Sequence, residues 1–171
     1  MTETTAWIRL LLVRELETFE REILLFPSDG LAWATMPGVK NSAGNLALHV
    51  CGNLQHYLGN VLGGTGFVRD RDAEFSRRDV PRTDLVRDLR AAIAVVDRVL
   101  PSISVETLSR AYPEQVGGTS VPTGLVLLQL EAHLAHHLGQ VGYLRRVLTG
   151  EDRSSGPVAI KALGASAPPT A

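Results

Sequence analysis

The run from Pro122 to Thr149 reads as one continuous helix. It opens on a proline suited to the first turn and closes on Gly150. At about 1.5 Å per residue such a helix extends roughly 40 Å, enough to span a whole small domain. Other segments must therefore pack along it, and their periodicity shows which ones can.

Three segments qualify. In the first, Leu12, Leu16, Phe19, Ile23 and Phe26 step by four and three, and Pro27 to Gly30 end the pattern. The second is expected from Ser42, as N-cap, to about Leu62, with Gly63, Gly64 and Gly66 terminating it. The third takes Thr83 as N-cap and Asp84 in the first turn, where a carboxylate suits the helix dipole. Its apolar stripe is Leu85, Leu89, Ile93, Val96 and Leu100, and Pro101 stops it.

Two long connections remain. Thr65 to Arg82 is polar and irregular, and is read as a crossover or part of a site wall. Ser102 to Val121 shows no helical period; Leu108 to Val116 suit an extended run, with Gly117 and Gly118 making a turn. The expectation is an all-α chain, an antiparallel four-helix bundle with crossover connections, forming one domain over residues 1–150. The tail from 151 to 171 is rich in Gly, Ser, Pro and Ala, and its end, ASAPPTA, is expected to be mobile.

Composition removes several classes of function. A formal net charge of −1 supplies no field for nucleic acid. The single cysteine, Cys51, excludes an internal disulfide and a Cys-rich zinc site. No apolar run approaches the roughly 20 residues that a membrane span needs. The first residues lack a basic leader, so a secretory signal is not expected and the cytoplasm is the expected compartment.

The histidines carry the chemistry. His133 and His137 are four residues apart in EAHLAHHLGQ, on one helix face and one turn apart. On a helical wheel counted from Gln129, the apolar residues Val126, Leu130, Leu134, Val141, Leu144 and Leu148 centre near ~100°. His137 falls near ~80° and His133 near ~40°, both inward, while His136 falls near ~340°, towards the boundary. Two inward histidines can be hydrogen-bonded core residues. A third imidazole, His49 in NLALHVCGN, favours a shared metal, because buried neutral rings need a partner for each nitrogen. Three protein ligands leave a fourth position open for water or substrate.

Around this trio the second helix carries a polar stripe, Asn45, His49, Asn53 and His56, read as a pocket wall with His56 at its solvent boundary. Gln129 and Gln140 flank the paired histidines and could hold a ring or a bound water; His136 is a further candidate for such a supporting role. Gly139 is expected to admit a neighbouring helix. Cys51 points away from His49 and is expected to pack inertly. The acids of RDRDAEF are most simply solvated loop charges. There is no phosphate-binding glycine loop, no GxSxG, no CxxC and no HExxH, so the usual glutamate base of a zinc protease is missing.

A histidine early in the second helix, HxxHHxGQ late in the chain, and NSAGNLALHVCGN followed by a GG turn and RDRDAEF together resemble the DinB/YfiT-like superfamily of metal-dependent bacterial enzymes. The resemblance spans Trp33 to Gly150. It implies a four-helix bundle of up-down-down-up topology and a divalent metal held by His49, His133 and His137. Zinc is the leading ion, with nickel, iron or manganese as alternatives. Members include S-transferases that use a low-molecular-weight thiol as cosubstrate, and hydrolase-like enzymes, and many are homodimers. Family kinship supports the site more than any one small-molecule substrate. A non-catalytic, metal-stabilised bundle that binds a small molecule or serves a stress-related interaction is the alternative.

Overall fold

The computed structural model describes residues 1–156 and Leu163. Among these the chain is helical, with no strand and only two isolated bridges, Ala111 with Pro122 and Val116 with Thr119. Its helices are α1 (Glu3–Leu24), α2 (Asp29–Trp33), α3 (Ala43–Leu54), α4 (Arg71–Ser76), α5 (Arg82–Val99), α6 (Val105–Ser109) and α7 (Thr123–Thr149). A π-helical stretch, Gln55–Leu62, prolongs α3, and a 3-10 turn, Leu100–Ser102, ends α5. Among the described residues no helix is long and apolar enough to cross a membrane.

Local chemistry sets the boundaries. Thr2 and Thr5 form a reciprocal cap on α1. The Ser42 hydroxyl accepts from the Asn45 amide at 3.1 Å, capping α3. Gly150 adopts the left-handed conformation (φ 71°) that ends α7. The apolar stripe of α1 is buried as its spacing requires. The start of α5 differs from the expectation: it begins at Arg82 with Pro81 at the cap position, not after Thr83. Proline pre-sets the backbone there, and Arg82 is fixed by Asp29, its Nε 2.6 Å from Oδ1.

The π stretch is the other difference. A polar and apolar pattern over 42–62 does not separate α from π winding. The stretch and its cap lie close to α5: a Cβ on Gly63 would come within 2.5 Å of Val99 Cγ2, and one on Gly59 within 3.2 Å of Val95 Cγ1. These two glycines let the widened turns lie directly against α5.

Helix α1 packs against α5 and α7, and α3 packs against the same two. Side-chain pairs give the directions. Arg9 meets Asp97 and Glu20 meets Arg90, so α1 and α5 run oppositely. Glu15 faces Glu131 and Glu22 meets Arg145, so α1 and α7 run together. His49 meets His133 and His137, while Tyr57 shares a cavity with Val126, so α3 opposes α7. One apolar cluster fills the space between the four.

The connections hold more order than their sequence suggested. The 65–82 stretch contains α4, and 102–121 contains α6. Leu108 to Val116 form no strand; the chain turns at Gly117 and Gly118 (φ 60° and 77°), where Val116 and Thr119 pair. Gly139 admits nothing, since a Cβ there would find no atom within 4 Å. The ASAPPTA end of the tail lies outside the described residues.

Candidate metal centre

Helix α3 presents His49 and helix α7 presents His133 and His137 to one point. His133 Nε2 lies 3.2 Å from His49 Nε2 and 3.1 Å from His137 Nε2. One nitrogen from each of the three residues lies within 4.8 Å of the others. Imidazoles bound tetrahedrally to one zinc at about 2.0–2.1 Å would stand roughly 3.3 Å apart. The rings meet edge-on, at interplanar angles of 75°, 85° and 90°. Nitrogens converge, therefore, and faces do not stack.

The outer nitrogens decide what the inner ones can do. Glu74 Oε2 accepts from Nδ1–H of His49 at 2.8 Å. Gln140 Oε1 accepts from Nδ1–H of His137 at 2.8 Å, and the Gln140 amide nitrogen donates to His136 Nε2 at 3.0 Å. In the neutral rings, Nε2 of His49 and of His137 then both carry lone pairs. Both face Nε2 of His133. A single N–H on that nitrogen serves one of them and leaves the other lone pair opposed. A cation at the shared point satisfies all three, so the donor set fits a divalent metal.

Electrostatics favours the same state. Burial, followed by the charges of His137, His49, Arg69 and His136, pushes the His133 pKa down from 6.5 to about 4. Burial also lowers that of His137, with Gln140 opposing and His49 and His136 adding. Both rings are neutral near pH 7, the form that ligates metal.

Behind His49 stands a group that sequence reasoning treated as solvent-exposed. Glu74 of α4 is buried, 6% exposed. Arg69 holds it through two bonds, Nε to Oε1 at 2.6 Å and Nη2 to Oε2 at 2.8 Å. Burial alone would raise the Glu74 pKa; the bonds from Arg69 and His49 outweigh it and hold the carboxyl below its usual range. The Arg69 guanidinium also lies over the Tyr57 ring. Of the other acids, Asp70 caps α4 through the Ala73 amide, and Asp72 is exposed. Asp70 followed by two acids was a helix-start signal, but nothing in it distinguished Glu74 from Asp72.

The remaining candidates are placed as follows. Asn45 is buried and makes no hydrogen bond to a histidine ring; its amide donates to the backbone oxygens of Glu74 (3.0 Å) and Arg77 (3.3 Å), anchoring α4. Asn53 and Gln129 line a cavity of about 170 Å³ beside His133, with Tyr57, Val116, Val126 and Leu130. Gln140 bonds His137 directly. His136 is exposed; its ring lies edge-on to that of His137, centroids 5.1 Å apart, and Gln140 bonds both residues. His56 pairs with Glu114 at 3.2 Å, away from the centre. Cys51 is buried, and that burial, with Asp88 and Glu74 adding, pushes its thiol pKa well up.

Comparison with known proteins agrees with the helical architecture. Residues 5–160 match the family described as "Protein of unknown function (DUF1572)". A solved structure, that of a conserved protein from Enterococcus faecalis, matches with a TM-score of 0.73 at 17% identity, over 88% of this chain and 100% of that one. At that identity the likeness is one of fold. No curated protein matches the chain.

Proposed function

We propose that this chain, which belongs to the DUF1572 family, is a metal-dependent enzyme whose ion is held by His49, His133 and His137. The observation that carries this reading is the convergence of three Nε2 atoms with too few protons to satisfy one another. Among the described residues this grouping contains three ligands and no fourth. A cavity of about 170 Å³ opens beside His133. An open position next to a cavity is the arrangement of a catalytic site, whereas structural sites close with four ligands.

A divalent cation bound there would supply Lewis acidity, lowering the pKa of a water or thiol and polarising an electrophile. The chain's own residues do the rest. Three neutral imidazoles leave the ion's double positive charge in place, which favours an anionic partner. Asn53 and Gln129 offer carboxamides to a bound molecule, and Val116, Val126 and Leu130 offer it apolar contact. The reading covers transfer of a low-molecular-weight thiol or hydrolysis of a small molecule. Zinc is the leading ion; nickel, iron and manganese also suit imidazole donors.

The same reading takes the four long helices as an up-down-down-up bundle of the DinB/YfiT-like superfamily, which their pairwise directions support. It places the protein in the cytoplasm as a homodimer. Exposed Leu125, Leu128, Tyr143 and Val147 along α7 support an apolar contact between copies. Sedimentation of a monomer at micromolar concentration would remove the dimer.

One observation favours a second reading, a non-catalytic metal-stabilised binder or stress-related module. Glu74, the carboxylate next to the centre, lies behind His49 and is committed to Arg69, so it offers no base to the cavity. The test is a screen with thiol cosubstrates and hydrolysable esters and amides. Enzymatic function predicts activity that rises with pH, disappears on chelation and returns with metal. Activity that survives complete metal removal, verified by elemental analysis, would place the chemistry elsewhere.

A further inference from the structure

Gly52 lies one turn beyond His49, buried inside α3. A Cβ built on it would stand 2.0 Å from Oε1 of Glu74 and 2.9 Å from its Cδ. No carbon approaches an oxygen so closely. Any side chain at position 52 must therefore drive the Glu74 carboxylate away from Arg69 and His49. The displaced atoms are the end of a flexible side chain, so the fold itself has room to survive. A glycine within a helix is less favourable than alanine. Local propensity thus argues against glycine at the point where the carboxylate enters.

The carboxylate is otherwise closely fixed. Arg69 grips both oxygens at 2.6 and 2.8 Å, and Asn45 holds the α4 backbone at Glu74 and Arg77. His49 is in turn flanked by the Phe75 ring, whose centroid lies 4.8 Å away. We propose that Glu74 is the positioning residue of the centre and that Gly52 provides the space it occupies. The carboxylate keeps the proton of His49 on Nδ1 and so turns the Nε2 lone pair towards His133 and His137. The inference rests on reading the three histidines as metal ligands. Carboxylates behind ligating imidazoles fix the tautomer and strengthen the donor, and their loss commonly weakens metal binding about 10–100-fold.

The experiment uses untagged full-length protein titrated with zinc against a competing chelator, with Gly52→Ala, Glu74→Gln and Glu74→Ala compared to the wild type. Gly52→Ala should stay folded with a lowered melting temperature, since the buried Arg69–Glu74 pair is disturbed, and should weaken zinc binding about 10–100-fold. Glu74→Gln, which keeps an acceptor but loses the charge, should lose less affinity than Glu74→Ala. A second readout needs no metal: ¹⁵N NMR near pH ~8, where imidazoles are ordinarily neutral, should show His49 protonated on Nδ1 in the wild type and a mixture of tautomers in Gly52→Ala. Wild-type zinc affinity and an unchanged tautomer in folded Gly52→Ala would overturn the positioning role and leave the centre standing. Failure of the wild type to bind zinc would overturn the metal reading and this inference with it.

Discussion

On its α1 side, α7 buries Arg145 against Glu22; on its α3 side, it sets His133 and His137 against His49. The first cluster joins opposite charges. Arg145, fully buried, donates to Glu22 and to the Arg153 backbone oxygen, tying the chain beyond α7 to the core. The second joins three groups of one kind, whose Nε2 atoms all turn inward with too few protons to satisfy one another. A buried cluster that joins opposite charges serves structure, even though Arg145 Nη1 has no hydrogen-bond partner among the described residues. A cluster with surplus lone pairs and an adjoining cavity calls for something from outside. Glu15 and Glu131, also between α1 and α7, fall in between: burial and the facing Glu131 raise the Glu15 pKa from 4.5 to about 7, so a proton can relieve that pair.

The sharpest way to break this contrast is to remove one ligand. Structural zinc sites are worth about 10–16 kcal/mol across four ligands, so losing one imidazole should weaken binding by roughly a hundredfold to a thousandfold. His137→Ala and His49→Ala should therefore lose their metal in competition with a chelator, and His136→Ala should keep it. Equal losses in folded His136→Ala and His137→Ala would erase the distinction drawn between those rings.

Removing Glu22 tests the opposite side of α7. Glu22→Ala leaves Arg145 buried without its counter-charge, which should cost about 3–5 kcal/mol in urea unfolding. Zinc stoichiometry in the folded protein should not change. Loss of zinc there would show that the two sides of α7 are not independent.

Acidity should pull the two sides in opposite directions. His133 has its folded pKa lowered from 6.5 to about 4. Metal-free protein therefore loses stability as pH falls through that window, since only the unfolded chain readily takes the proton. Glu15 has its folded pKa raised from 4.5 to about 7, so its contribution is full below pH 4.5 and is lost as pH rises through 7. Glu15→Gln should gain up to about 3 kcal/mol over the wild type at pH 8 and nothing at pH 4.5. Equal urea midpoints for the two proteins at pH 8 would contradict the assignment.

The smallest expected effect is at Gln140. It bridges His137 and His136 from an exposed position. Gln140→Ala should weaken zinc binding by no more than about tenfold, the low end for such supporting contacts. A larger loss would mean that Gln140 orients His137 as firmly as Glu74 orients His49.

The long helices were legible because a stripe such as Leu12, Leu16, Phe19 and Ile23 repeats over many turns. His133 and His137 were legible for the same reason: a wheel over 28 residues gives each ring a direction. Glu74 was not. Its helix, Arg71–Ser76, spans six residues, too few for a period to show which acid turns inward. What buries Glu74 is tertiary: Asn45 holding α4, Arg69 supplying the counter-charge, and the missing side chain at Gly52. Gly139 failed for the converse reason. The same residue type that admits a carboxylate at 52 faces open space at 139, and sequence does not distinguish the two.

The central claim is that His49, His133 and His137 together hold one divalent ion. Zinc titration of untagged protein, with elemental analysis before and after, tests it directly when the wild type is compared with the His49→Ala/His133→Ala/His137→Ala variant and both are shown to be helical by circular dichroism. One ion per chain is expected for the wild type and none for the variant. A wild type that takes up no ion, or a folded variant that binds as tightly as the wild type, would contradict it.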